Sequence, residues 1–168
     1  NDMAEPLFSQ NEEFWNTVIT KDKVYFHSFS SIFVYDYATF KVIRPGAMIG
    51  SVNNVDEEIY VHLSQLGLFT LEDTILTPFL TEVAVSTNLV YFVKQLSDSS
   101  LLIGTESDGL YVYKDDVLSP YLEEWKDFFV VNNINRGAIS GNGHIIIGTL
   151  IDGVMIFDQT GNPIHHIN

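Results

Sequence analysis

The side chains of this sequence that could carry chemistry are five histidines, 22 Asp and Glu residues and two Gly-Thr pairs. Gly104-Thr105 and Gly148-Thr149 would suit a phosphate loop, but no G-x-x-x-x-G-K-[ST] surrounds them and neither opens a helix. They read as strand ends whose threonine bonds within a turn. Asp108 and Asp152 each precede a glycine. Two aspartates could bind calcium, yet the spaced oxygen ligands of a calcium loop are missing, and Asp-Gly is a turn former. The acidic runs at 56–58, 115–116 and 123–124 could hold a glycosidase carboxylate pair. They fall in turns or at a helix start, where solvated charge belongs. His165 and His166 are neighbours on one strand, so they point to opposite faces and do not share a metal. His27 and His62 occupy similar places in their repeats, and His144 starts another strand. G-x-S-x-G is absent. The expectation is no catalytic residue, no metal site and no cofactor.

Three residues stand out as ligand-binding candidates: Trp125, Asn132 and Arg136. Aromatic faces stack on sugar rings, and Arg holds carboxylate or sulfate groups in a fork. Trp125 lies in the one insertion that interrupts the repeat, and such insertions carry function. Arg136 falls near the start of an innermost strand, placed to face a channel mouth. For Trp15, core packing is the preferred reading.

These side chains must be positioned by a repeated element. The stretch 101–114, LLIGTESDGLYVYK, recurs 44 residues later as IIIGTLIDGVMIFD. Both copies have three apolar residues, Gly-Thr, two variable residues, Asp-Gly and an alternating apolar strand. Two weaker relatives precede them. Aligning the third strand of each group puts Tyr35, Leu71, Tyr113 and Phe157 in register, at steps of 36, 42 and 44 residues. Gly67, Gly109 and Gly153 then coincide, with Ser31 in the first group. Gly67, Asp108, Gly109, Asp152 and Gly153 are therefore expected to be structural turn residues. A period near 40 with four short strands per repeat is the mark of a β-propeller blade. The sequence predicts an all-β chain: a connector at 1–13, antiparallel blades at 14–46, 47–79, 80–121 and 132–168, and a short helix at 122–131. In the second blade the expected inner strand is 47–52, followed by a polar turn at 53–58. Four blades are read as an arc of a larger propeller of about seven, with open faces that need neighbouring blades or a second copy.

Composition excludes several functions. The formal charge is −14 and no basic cluster exists, so nucleic-acid binding by this segment is not expected. No apolar run is long enough for a membrane helix, so any membrane attachment would come through flanking regions. With no cysteine there is neither a disulfide framework nor thiol chemistry.

The third and fourth blades resemble the two-component regulator propeller repeat, in SLLIGT with GLYVYK (100–105, 109–114) and GHIIIGT with GVMIFD (143–149, 153–158). The tryptophan usual in that repeat is replaced by Leu102 and Ile146. The first two blades keep only the hydrophobic frame and Tyr35-Asp36. The resemblance covers 14–168 as architecture and implies the periplasmic sensor part of a membrane-anchored regulator of the kind common in Bacteroidetes. Residues 80–168 look most like the version attached to helix-turn-helix regulators. The family implies a sensor role, often for glycans, and transfers no particular binding residue. The function expected is a non-catalytic sensor segment for an oligosaccharide or other small ligand, in a periplasmic homodimer. The alternatives are a protein-interaction or dimerisation propeller without a small ligand, and, behind it, a propeller-type glycan enzyme.

Overall fold

The structure is a computed structural model, and it describes residues 13–168. Four antiparallel sheets follow one another along the chain, each a simple four-stranded meander. Blade 1 holds β1 (Asn16–Ile19), β2 (Val24–His27), β3 (Ile32–Tyr35) and β4 (Phe40–Ile43). Blade 2 holds β5 (Ile49–Val55), β6 (Glu58–Leu63), β7 (Gly67–Glu72) and β8 (Ile75–Leu80). A short helix, α1 (Val83–Ser86), leads into blade 3, made of β9 (Val90–Gln95), β10 (Leu101–Thr105), β11 (Leu110–Lys114) and β12 (Val117–Tyr121). A 3-10 turn (Glu123–Trp125) and α2 (Lys126–Asn132) precede blade 4, with β13 (Ile134–Ile139), β14 (Ile145–Thr149), β15 (Val154–Phe157) and β16 (Pro163–Ile167).

The strands are runs of Val, Ile, Leu, Phe and Tyr, which fit a pleated, half-buried surface. β6 and β10 are buried along almost their whole length. A neighbouring blade covers each of their faces, so they read as continuous apolar runs rather than alternating ones. Pro78, Pro120 and Pro163 all lie in fourth strands, at blade edges where a missing N–H breaks no ladder. Asp56 and Glu57, and Asp115 and Asp116, form two-residue hairpin loops with positive φ at both positions.

Three expectations need correction. β5 runs on to Val55, because the Asp56-Glu57 turn needs only two residues, so Asn53 and Asn54 stay in the ladder rather than in a loop. The longer entry to blade 3, at 80–89, to which the sequence assigns no element, contains α1. The helix expected at 122–131 begins as a 3-10 turn at Glu123, with Leu122 itself in a left-handed conformation, and ends at Asn132. Asn132 therefore belongs to α2 and not to the inner strand of blade 4. The connector expected at 1–13 lies, apart from Glu13, outside the described residues.

Three cores join successive blades. Val18, Tyr25, Ile32 and Val34 meet Ile49, Val52 and Val61 between blades 1 and 2. Leu68, Leu80 and Val85 meet Val90, Val93 and Ile103 between blades 2 and 3. Phe92, Leu102 and Phe129 meet Ile134, Ile147 and Phe157 between blades 3 and 4. Among the described residues no such cluster joins blade 4 to blade 1.

The repeated Thr-x-x-Asp-Gly is one hydrogen-bonded turn used twice. Thr105 Oγ1 donates to the Gly109 carbonyl at 2.8 Å and accepts from the Asp108 N–H at 3.1 Å. Thr149 Oγ1 repeats both bonds with Gly153 and Asp152, each at 3.1 Å. Gly109 and Gly153 take positive φ, as does Gly67. Asp108 also accepts from Tyr111 and Lys126. Thr105 is fully buried and Thr149 only partly. Thr105→Val should therefore destabilise by about 1–3 kcal/mol, since the Asp108 N–H loses its partner in a buried turn and the Gly109 carbonyl keeps only the Thr105 backbone N–H. Thr149→Val should lose visibly less in the same urea titration, and equal losses would contradict the account.

Candidate functional site

The innermost strands β1, β5, β9 and β13 face a common cleft of about 660 Å³. Its position follows from the meander order, which leaves the first strand of every blade at the inner edge. Three of these strands carry the same irregularity. One residue is bulged out of the ladder at Gly50 in β5, Tyr91 in β9 and Asn135 in β13. All three line the cleft. A bulge re-aims side chains, which is why bulges recur beside binding sites.

Beside each of the three bulges, and at the matching place in blade 1, stands one cross-strand pair. The pairs are Asn16–His27, Ser51–His62, Phe92–Gly104 and Arg136–Gly148. Each blade supplies one large side chain there, from the inner strand or from the second. In blade 2 it is His62, wholly buried, whose Nε2 donates to the Val85 carbonyl of α1 at 2.9 Å. In blade 3 it is Phe92, whose ring lies over Gly104 and against Gly137 of blade 4. In blade 4 it is Arg136, exposed and lining the cleft.

The rim is aromatic and the wall is amide-rich. Trp15, expected in the core, is 52% exposed, and its ring lies 4.8 Å from that of Phe29, itself 51% exposed. Asn53 donates to Ser51 Oγ at 3.0 Å. Asn54 donates to the Ile19 carbonyl at 2.8 Å, while its buried Oδ1 has no partner. Arg136 Nη1 donates to the backbone carbonyl of Asn135 at 2.9 Å and to its side-chain oxygen at 3.2 Å. Tyr91 donates its hydroxyl to Glu106 at 2.8 Å. Burial, reinforced by Glu106, pushes the Tyr91 phenol up to about 12, so it remains a neutral hydrogen-bonding group. Burial also holds the His27 imidazole below its ordinary value, against the pull of its bond to the Ser28 carbonyl.

Of the three residues singled out by sequence, Arg136 lines the cleft and the other two do not. Trp125 packs edge-on to Phe157 and Phe128, at 5.6 and 6.0 Å, in the core between blades 3 and 4. Asn132 is buried, and its Nδ2 donates to the Phe128 carbonyl at 2.9 Å. Sequence reasoning missed Phe29, Asn53, Asn54, Tyr91 and Lys94. The available signal was the blade alignment, in which Arg136 falls in the column of a buried phenylalanine. His27, His62, His144, His165 and His166 do not converge, and among the described residues no group of three or more His, Asp and Glu is placed to hold a metal.

No protein-family model matches the chain, and no curated protein matches it in sequence. Solved structures do match. A selenomethionine-substituted virginiamycin B lyase from Staphylococcus aureus superposes with a TM-score of 0.72 at 10% identity, over 95% of this chain and 57% of the lyase. An extracellular domain assigned to a hybrid two-component system of B. thetaiotaomicron gives 0.66 at 18% identity, over 98% of this chain and 23% of that one. A second such domain from the same organism gives 0.63 at 17% identity, over 94% and 21%. The chain thus spans between about a fifth and somewhat over half of the length of these structures. Its fold is the β-propeller, shared with extracellular domains of two-component systems and with an enzyme.

Proposed function

We propose that the chain is the ligand-binding part of a sensor-type extracellular propeller, working in the periplasm and feeding a two-component-type regulator. The observation that carries this reading is the cleft. Rigid inner strands of four blades converge on it, three of them through bulges. A ligand held there touches every blade at once, so its binding free energy can bias how the blades sit on one another. The fold shared with two-component extracellular domains supports the reading. Its ligand is an oligosaccharide, for which the Trp15–Phe29 pair offers an exposed aromatic platform. Catalysis is not part of the proposal.

A second reading, an interaction propeller without a small ligand, draws on the outer face of blade 4. Ala138, Ile146, Val154, Ile156 and Ile167 share that face, and Ile167 is 59% exposed. Neighbouring blades or a second copy would bury it. One experiment separates the two readings. Oligosaccharides are titrated while tryptophan emission is followed in a Trp125→Phe background, so that Trp15 reports alone. Saturable change is expected. Silence towards every sugar, with concentration-dependent self-association by light scattering, would select the interaction propeller.

A further inference from the structure

The charge around the cleft points beyond a generic sugar. Acidic residues outnumber Lys and Arg by 22 to 8 in the chain. No Asp or Glu lines the cleft, whereas Lys94 and Arg136 do. Lys23, Lys114 and Lys126 are paired with carboxylates, but among the described residues neither Lys94 nor Arg136 has an acidic partner. Of the nearby acids, Glu106 is engaged by the Tyr91 hydroxyl, and Asp56, which shares an adjoining hollow with Lys94, lies outside the cleft lining. Arg136 is oriented through Nη1 alone, by Asn135. Its field reaches across the cleft to blade 1, where it adds to the lowering of His27 that burial begins. Two cations without acidic partners, in a cleft that no carboxylate lines, make it a positive concavity on a molecule of charge −14.

Resting on the reading that the cleft is the ligand site, we propose that it selects a negatively charged saccharide. The carboxylate or sulfate of that sugar meets Arg136 and Lys94, and its ring face lies on Trp15 and Phe29. A guanidinium fork matches the geometry of either anionic group. Asn16, Asn53 and Asn135 line the same cleft, each with part of its amide bonded inside the protein and the rest of its hydrogen-bonding capacity open to ring hydroxyls. The cleft volume of about 660 Å³ falls within the ordinary range of small-molecule sites.

The test titrates the full chain calorimetrically with trigalacturonate, its methyl ester, neutral galactotriose, a chondroitin sulfate disaccharide and inorganic sulfate. At least one charged sugar should bind roughly tenfold or more tightly than the neutral sugars, and weaken as NaCl rises from about 20 to about 200 mM. Arg136→Gln should reduce that affinity by roughly tenfold, with Arg136→Lys in between. Lys114→Gln, on a surface pair away from the cleft, should change nothing. Inorganic sulfate binding as tightly as the sugars would overturn the proposal in favour of a plain anion site. Equal affinity for charged and neutral sugars, or a wild-type response from Arg136→Gln, would overturn the charge selection and leave the sensor reading standing. Binding of no sugar at all would remove both.

Discussion

Gly104→Ala is expected to destabilise the protein by about 3 kcal/mol, and Gly148→Ala to change stability hardly at all. The two glycines hold the same place in the same repeated motif, so their difference must come from what lies over them. A Cβ on Gly104 would stand 2.2 Å from Phe92 Cε1 and 2.3 Å from Cζ. The ring cannot move away, because Gly137 of blade 4 bounds it on another side, at 2.4 Å from the site of its own missing Cβ. Phe92 is only 2% exposed and is part of the core that joins blades 3 and 4. At Gly148 the nearest atoms to a new Cβ are Arg136 O and Cβ at 3.8 and 3.9 Å, which is ordinary contact. Neither glycine has a positive φ, so packing alone decides. Urea denaturation of the two variants reads the difference directly. Phe92→Leu should recover part of the Gly104→Ala loss, since removing ring carbons vacates the volume the methyl needs. The double mutant would then lose less than the sum of the single changes. Strict additivity, or equal losses at Gly104 and Gly148, would mean that the ring does not occupy this place.

The same contrast shows what the sequence could and could not disclose. The motif at 101–114 and its copy announced the turn, the strand pair and the blade, because hydrogen bonding within a hairpin depends on residues close in the chain. Thr105 and Thr149 behave alike for that reason. The identity of the partner above Gly104 depends on β9 and on the next blade, and nothing local encodes it. The cleft was obscured in the same way. Arg136 could be placed by its position on an inner strand, but Trp15, Phe29, Asn53, Lys94 and Arg136 come from different blades and meet only after stacking. The bulges that aim Tyr91 and Asn135 leave no mark in composition. Trp125 misled in an instructive way. It lies in the non-repeating insertion, yet α2 uses that insertion to seal the core between blades 3 and 4.

The second large effect concerns acid. Lowering the pH from 7.5 to 5.0 should remove about 2 kcal/mol of stability through His62. His62 Nε2 faces a carbonyl oxygen, Val85 O, which only accepts, so the ring carries its proton on Nε2. Nδ1 is then a bare lone pair. It is buried without a hydrogen-bond partner, and it lies 2.3 Å from where a Cβ on Gly50 would stand. A second proton would place a charge and an unsatisfied N–H in that dry space. Burial accordingly pushes the imidazole down to about 4, although its bond to Val85 works in the other direction. Unfolded, the ring titrates near 6.5. Between these values the unfolded chain binds a proton that the folded one refuses. Stability is therefore constant above about 6.5, falls as the pH drops towards 4, and levels off below it. Across the full window the loss is about 3 kcal/mol. His27 is lowered by burial as well and adds a contribution of the same sign. Asp98 and Asp158 are held below the usual carboxylate range, Asp98 chiefly by Lys114 and Asp158 by Thr160 and Asn162, so they remain ionised throughout. His62→Gln keeps a donor for Val85 and removes the titrating group. Urea unfolding at pH 7.5 and 5.0 should show a drop smaller than wild type by about 2 kcal/mol in that variant. Parallel losses in the two proteins would place the acid sensitivity elsewhere and refute the buried, neutral His62.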